Sequence, residues 1–321
     1  MTRVAAIDCG TNSIRLLVAD ATTGPDGAAE LSDVVRLMEV VRLGQGVDRT
    51  GELAPEALER TLAATDTYAA LCEEHGVEAV RFVATSATRD ARNRDVFVDG
   101  VRERLGVEPE VISGTEEAAL SFAGAVRALA REDGPALVVD TGGGSTELVL
   151  GDVGPTAGPP TASTSLDMGC VRMTERHLAT DPPTAEEIAA AERDVRDALE
   201  SGAAVVPLGG VRTLVGVAGS VTTVTAHALH LDRYRPEAIN GARLPVADVL
   251  AACEELLHAT RAERAALPYM HPGRVDVIGA GALVWAEVVR RVAADSGIDT
   301  VVASEHDILD GIALSVLGRL A

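Results

Sequence analysis

The chain of 321 residues contains no lysine, and its 28 basic residues are all arginine. That absence excludes a phosphate-binding loop of the GxxxxGK[ST] type and any lysine nucleophile. Anionic groups must then be held by arginine, backbone amides, hydroxyls or metal. Aromatic residues are 2% of the chain against 47% hydrophobic overall, so its cores are built from small aliphatic side chains, and no stacking platform for a nucleoside base stands out. Cys9, Cys72, Cys170 and Cys253 are scattered with no CxxC, which argues against a zinc site or disulfide frame and suits a reducing compartment. No apolar run is long enough to span a bilayer and no signal-peptide pattern precedes the first strand, so a cytoplasmic location away from membranes is expected. With a formal net charge of −21 there is no basic stripe for nucleic acid, and a polyanionic ligand would need a local basic cleft.

What the sequence does have is centred on ALVVDTGGGSTELVL, Ala136 to Leu150. It reads as a buried strand ending in Asp140, a turn of Gly142, Gly143 and Gly144 with Ser145 and Thr146, then Glu147 and a second strand. Glycines let backbone N–H groups close on an oxyanion, and the hydroxyls add donors. Asp140 and Glu147 beside a polyanion are repulsive unless a divalent cation lies between them or they handle a proton. VAAIDCGTNSIRLLVAD, Val4 to Asp20, repeats the pattern: Asp8, Gly10 and Ser13 are spaced as Asp140, Gly142 and Ser145. Two related halves, each giving one loop to a shared phosphate cleft, are therefore expected.

Strand and helix alternate along the chain, which means α/β. Pro55 starts a helix that Gly76 stops, and Val77 to Ala84 is a strand that delivers the loop Thr85 to Asp95 with Arg89, Arg92 and Arg94. The helix from Ser113 to Arg131 opens on SGTEE: Ser113 and Glu116 form a capping box, leaving Glu117 inside the positive helix end. Gly134 and Pro135 mark the boundary between halves. Beyond the Pro/Gly loop Gly151 to Ser163, a strand is expected over STSLDMGCVRMTE. Thr184 and Glu187 cap the next helix. Short strands are expected at Val205 to Leu208 and Thr213 to Val217, the latter leading to a glycine and hydroxyl turn with Gly219 and Ser220. A helix over Val246 to Ala266, strands at Arg274 to Ile278 and Thr300 to Ala303, and a helix from Asp307 to Leu320 complete the reading.

The motifs AIDCGTNSIRLLV, RLGQGV, VATSATRDARN, ISGTEEAALSF, VVDTGGGSTELV, SLDMGCVRMTE and GVAGSVTT occur in this order over essentially the whole length. Together they resemble the exopolyphosphatase and guanosine pentaphosphate phosphohydrolase family of the actin, sugar kinase and heat-shock ATPase superfamily. The ending SEHDILDGI is similar to the short actinobacterial members. The resemblance implies two actin-like (ribonuclease H-like) domains, residues 1–130 and 131–302, with a final helix at 303–321 on the first. It implies that Glu117 is a general base for water attack on a terminal phosphorus. Asp140 and Glu147, with Asp8, would hold Mg²⁺ or Mn²⁺, and Asn12, Ser13, Arg89, Gly143, Gly144 and Ser145 would cradle phosphates. Arg172 is similar to a family arginine that reaches substrate or a dimer partner. A homodimer is implied as well.

Inorganic polyphosphate, short chains above long, is the substrate expected, because the chain stops before the additional helical domain of longer relatives. Guanosine pentaphosphate presents the same terminal phosphates and is the close alternative. An actin-fold kinase or ATPase, and a silent nucleotide or polyphosphate sensor, are further readings. Two decoys are set aside. Cys9 and Arg15 have the C-x5-R spacing of cysteine phosphatases, but a strand rather than a helix follows. His306-Asp307 has no companion His/Asp set.

Overall fold

The computed structural model describes residues 2–23, 29–130, 133–154 and 159–320. Arg131 and residues 155–158 of the Pro/Gly loop lie outside the described residues. In chain order the elements are β1 (Thr2–Cys9), β2 (Ser13–Thr23), β3 (Ala29–Val40), α1 (Val47–Thr50), α2 (Pro55–Glu74), β4 (Ala79–Ala84), α3 (Ser86–Asp90) and α4 (Arg94–Leu105). Then come β5 (Glu110–Val111), α5 (Gly114–Ala125), β6 (Ala136–Thr141), β7 (Thr146–Gly151), β8 (Ala162–Leu166), α6 (Cys170–His177), α7 (Ala185–Ala203), β9 (Thr213–Val217) and α8 (Ala218–Ala228). The chain continues through α9 (Pro236–Ile239), β10 (Arg243–Pro245), α10 (Val246–His258), α11 (Arg261–Ala265), α12 (Ile278–Ser296), β11 (Thr300–Ala303) and α13 (Ile308–Leu320).

These elements form two α/β units, Met1–Gly124 with Ile308–Ala321, and Ala125–Asp307. Among the described residues, the first unit builds a five-stranded sheet in the order β3-β2-β1-β4-β5. β1, β2 and β3 run antiparallel in sequence, while β4 and β5 follow parallel to β1. The second unit's sheet is β10-β11-β9-β6-β7-β8. Read from β8, it repeats the first order and the same directions, with β10 added antiparallel at the far edge. The two related halves expected from the spacing of the glycine turns are thus present as two sheets of one design.

Local chemistry explains the elements. Val4, Ala5, Ala6 and Ile7 are wholly buried, as a central strand covered on both faces requires. Pro55 sits at the first turn of α2, where its missing N–H costs nothing, and Gly76 takes the left-handed conformation (φ +62) just beyond the helix. Thr184 and Glu187 make a complete capping box on α7. α12 is buried almost all round, with Trp285 in the core of the second unit against Gly216, where a Cβ would come within 2.6 Å of the indole.

Several expected elements differ. Residues 205–208 form a turn after α7, not a strand. Arg274 to Ile278 is a tight turn entering α12, because a short apolar run such as VDVI serves a buried helix as well as a buried strand. The helix expected over Val246 to Ala266 breaks in two. Thr260 and Glu263 cap a new helix there, and the buried Arg264 guanidinium donates to the Leu256 and Leu257 carbonyls left over at the end of α10. The strand read over Ser163 to Glu175 stops at Leu166, and α6 begins at Cys170.

Candidate active site

Each half closes its first hairpin with the same turn. In the first, Gly10 N–H donates to the Ser13 carbonyl at 3.0 Å; in the second, Gly142 N–H donates to the Ser145 carbonyl at 3.0 Å. The carbonyls of both loops are then tied down by the segment that packs behind them. Val41 and Arg42 donate to Asn12 O (3.1 and 2.8 Å), and Gly44 donates to Thr11 O (2.9 Å). In the second loop Cys170 donates to Gly142 O (2.9 Å), Val171 and Arg172 to Gly143 O (2.9 and 3.2 Å), and Gly169 to Gly144 O (3.2 Å). The Arg172 Nε adds 2.7 Å to Gly144 O, so this arginine braces the loop. Gly169 is needed for the approach: a Cβ there would stand 2.3 Å from the Gly143 carbonyl. No protein acceptor takes the N–H groups of Gly143, Gly144 or Ser145 among the described residues.

Thr11 Oγ1, Asn12 Oδ1 and Thr141 Oγ1 are buried without a hydrogen-bond partner in and beside the same two turns. Orphaned polar atoms cost free energy unless something polar completes them.

The carboxylates at the hairpin necks differ between halves. Asp8 pairs in register with Arg15, whose Nη2 and Nε reach Asp8 Oδ2 at 2.6 and 2.9 Å. At the corresponding place Asp140 pairs with Glu147, both buried. Glu147 Oε1 accepts from Ser165 Oγ at 2.7 Å. No group of three or more His, Cys, Asp or Glu side chains is gathered for a metal among the described residues. Two facing carboxylates nevertheless suit Mg²⁺, which binds through one or two protein carboxylates with phosphate oxygens and waters completing the octahedron.

Glu117 lies in the first turn of α5 and is buried. Arg89, which belongs to the short helix α3 and not to an open loop, donates from Nη1 to Glu117 Oε2 at 2.7 Å and to the Ile112 carbonyl at 3.1 Å. Burial raises the Glu117 carboxyl above the ordinary carboxylate range. The charge and hydrogen bond of Arg89 and the Thr85 hydroxyl oppose that shift, and the charge of Asp8 adds to it. The expected capping box is only partly made: Glu116 N–H donates to Ser113 Oγ at 3.2 Å, while its carboxylate goes to Arg81 at 2.6 Å. Burial, with Asp8 second, drives the Cys9 thiol well above its ordinary value, so Cys9 is no thiolate and Arg15 serves Asp8 instead.

The strand exits match too. Asp8 pairs with Val83 and Asp140 with Val217, which puts Thr85 and Gly219 each two residues beyond the paired position. Gly219 and Ser220 lie in the first turn of α8, not in a loose turn. Against them stands Arg274, which donates to Thr223 Oγ1 at 3.2 Å; a Cβ on Gly219 would fall 2.5 Å from its guanidinium carbon.

The chain matches the Ppx/GppA phosphatase family over residues 18–316. It belongs to that family. A Mycobacterium tuberculosis protein named Exopolyphosphatase 2 is 53% identical, over 99% of both chains. The crystal structure of an exopolyphosphatase-like protein superposes with a TM-score of 0.93 at 48% identity, covering 100% of both chains. The Aquifex aeolicus Ppx/GppA structure gives a TM-score of 0.80 at 29% identity over 99% of this chain and 98% of that one.

In this Ppx/GppA protein the residues singled out by sequence gather within each unit. Asp8, Arg89 and Glu117 interact in the first, beside the loop of Asn12 and Ser13. Asp140, Gly142, Gly143, Gly144, Ser145 and Glu147 share one hairpin of the second, with Gly219 and Ser220 on the neighbouring strand's exit. Sequence reading did not assign the partners that these residues find: Arg15, read only as half of a C-x5-R spacing, on Asp8, Thr85 on Glu117, Ser165 on Glu147, and Arg274 against Gly219. Arg15 and Ser165 were legible as cross-strand partners of Asp8 and Glu147. Arg274 was hidden in a stretch read as strand.

Proposed function

We propose that the protein is an exopolyphosphatase that removes the terminal phosphate of inorganic polyphosphate by water attack. The observation that carries this reading is the pair of loops whose carbonyls are tied down, with N–H donors of the second left to phosphoryl oxygens. The 53% identity to a protein named Exopolyphosphatase 2 supports it. Chains short enough to be held by these loops alone are the preferred substrate; the cytoplasm is the location that the scattered cysteines favour, and a homodimer is what the family resemblance implies.

In this reading the N–H groups of Gly143, Gly144 and Ser145 orient phosphoryl oxygens in the second unit, with Ser220 and Arg274 of that same unit, and Asn12 and Ser13 are the phosphate donors of the first. Asp140 and Glu147 hold Mg²⁺, or Mn²⁺ on the same oxygen donors, and the ion supplies charge neutralisation to the phosphates. Asp8, neutralised by Arg15, contributes less to that ion than the sequence reading gave it. The oxygen of water forms the new bond to the terminal phosphorus, and Glu117 takes its proton. The bond from phosphorus to the bridging oxygen breaks; orthophosphate leaves and the chain is one phosphate shorter. Arg89 keeps Glu117 ionised and aimed. A base of this kind contributes ~10²- to 10⁴-fold, and one oriented oxyanion donor ~10²- to 10³-fold.

Phosphate release is the test, with Mg²⁺ and, side by side, short polyphosphate, long polyphosphate and guanosine pentaphosphate. Release from short polyphosphate that Glu117→Gln lowers ~10²- to 10⁴-fold is expected. Preference for the nucleotide would assign the protein to the alarmone branch, and no release from any of the three would overturn the reading.

A further inference from the structure

The helix that carries Glu117 is gripped from one side by α13. A Cβ on Gly311 would stand 1.9 Å from the Leu120 carbonyl oxygen, 2.7 Å from its carbon and 3.0 Å from its Cα. The backbones of α13 and α5 therefore touch, three residues beyond Glu117. On the other side of Glu117 a second link reaches α13: Glu116 Oε1 accepts from Arg81 Nη2 at 2.6 Å, and Arg81 Nη1 donates to Ser315 Oγ at 2.7 Å. Arg81 is itself 4% exposed and cannot swing away without leaving a buried charge unpaired. α13 is anchored in turn. Its Ile308, Leu309 and Ile312 pack in one cluster with Val4, Leu17 and Leu120, and the buried Asp310 takes Arg36 at 2.7 Å.

We infer that α13 is the support that fixes the proposed base in place, with Gly311 its positioning residue, because α13 touches α5 one turn after Glu117 and is linked through Arg81 to the residue immediately before it. The inference rests on the reading of Glu117 as base. Gly311 touches no substrate; it acts through the backbone of α5. Any side chain there must push the helices apart, by at least about 1 Å to clear the Leu120 carbonyl, and a misplacement of that size costs ~10²-fold in turnover.

The test compares Gly311→Ala, Glu117→Gln and the double variant, each checked for cooperative unfolding, on short polyphosphate with saturating Mg²⁺. Gly311→Ala is expected to lower kcat ~10- to 100-fold with KM within ~2-fold. In the Glu117→Gln background the same change should cost less than ~2-fold, since there is no base left to misplace. Equal losses in both backgrounds, or undiminished kcat in folded Gly311→Ala, would overturn the positioning role. Ordinary turnover in Glu117→Gln would instead sink the base assignment, and the positioning role with it. Should Gly311→Ala not fold, Ser315→Ala carries the question. It should lower kcat ~3-fold and Ser315→Thr should restore it; no effect of Ser315→Ala would overturn the inference.

Discussion

Asp140 stands directly across β6–β7 from Glu147, two buried carboxylates on one rung. Like charges so placed repel, and a few ångströms of protein make the repulsion stronger than it would be in water. At the same rung of the first half Asp8 faces Arg15 and the charge is cancelled within the protein. One duplicated hairpin thus carries two different pairs on the same rung, an acid with an arginine in the first half and two acids in the second.

Ser165 sets the orientation of Glu147 through a 2.7 Å hydrogen bond. Partners of a metal-ligating carboxylate typically account for ~10- to 100-fold in metal affinity. In Ser165→Ala the Mg²⁺ concentration for half-maximal phosphate release should rise by about that factor, while kcat at saturating Mg²⁺ changes little. An unchanged Mg²⁺ titration would remove Glu147 from the metal's ligands.

Arg89 bears on pH dependence. Glu117 must be ionised to accept a proton, and burial raises its carboxyl above the ordinary 4.5, so the acid limb of kcat/KM should lie above that value. Arg89 is the strongest influence opposing the shift. Removing it in Arg89→Ala should move the limb to higher pH, with Arg89→Lys between. The same sign governs stability: a raised carboxyl contributes stability below its unfolded value and loses it as pH rises, so Glu117→Gln should be no less stable than the parent near neutral pH. A limb that stays put or moves to lower pH would contradict the pairing.

Gly169 lies against backbone that cannot turn aside. Its substitution by alanine puts a methyl 2.3 Å from the Gly143 carbonyl, and forcing in a group of that size costs ~1–3 kcal/mol. Urea unfolding should show that loss, and phosphate release should fall further than stability does because the loop N–H groups move. Full activity in Gly169→Ala would mean that the loop's placement does not matter to turnover.

The anchoring of α13 should be acid-sensitive. Arg319 first, and Arg81 with it, hold the Glu110 carboxyl down at about 2 from an ordinary 4.5. A depressed carboxyl contributes stability above its unfolded value and loses it as pH falls toward the folded one. Stability to urea should therefore drop between pH 4.5 and about 2. Arg319→Ala should lose less over the same window, having less to lose. Identical slopes for the two proteins would deny Glu110 this part.

Whatever depended on neighbours in sequence was legible. The two glycine turns, the Pro55 and Thr184 helix starts and the strand carrying Asp140 follow from spacing and local chemistry, and the structure has each of them. What sequence could not give was which partner a charged side chain finds at long range. Glu116 read as a capping residue because Ser113 precedes it by three, yet a buried arginine from β4 competes for its carboxylate. Arg274 to Ile278 read as strand because five residues hold too little periodicity to tell a buried strand from the entry to a buried helix. The place of Arg274 against Gly219 was missed with it.

The first sheet is assembled from residues at the start of the chain, but its outer cluster is completed by Ile308, Leu309, Ile312, Ala313 and Val316, which follow the entire second unit. During synthesis the first unit emerges from the ribosome lacking the helix that covers Val4, Ala6 and Leu17, and it waits with that face open while the second unit is made. The half of the protein translated first is the half whose outer cluster is completed last.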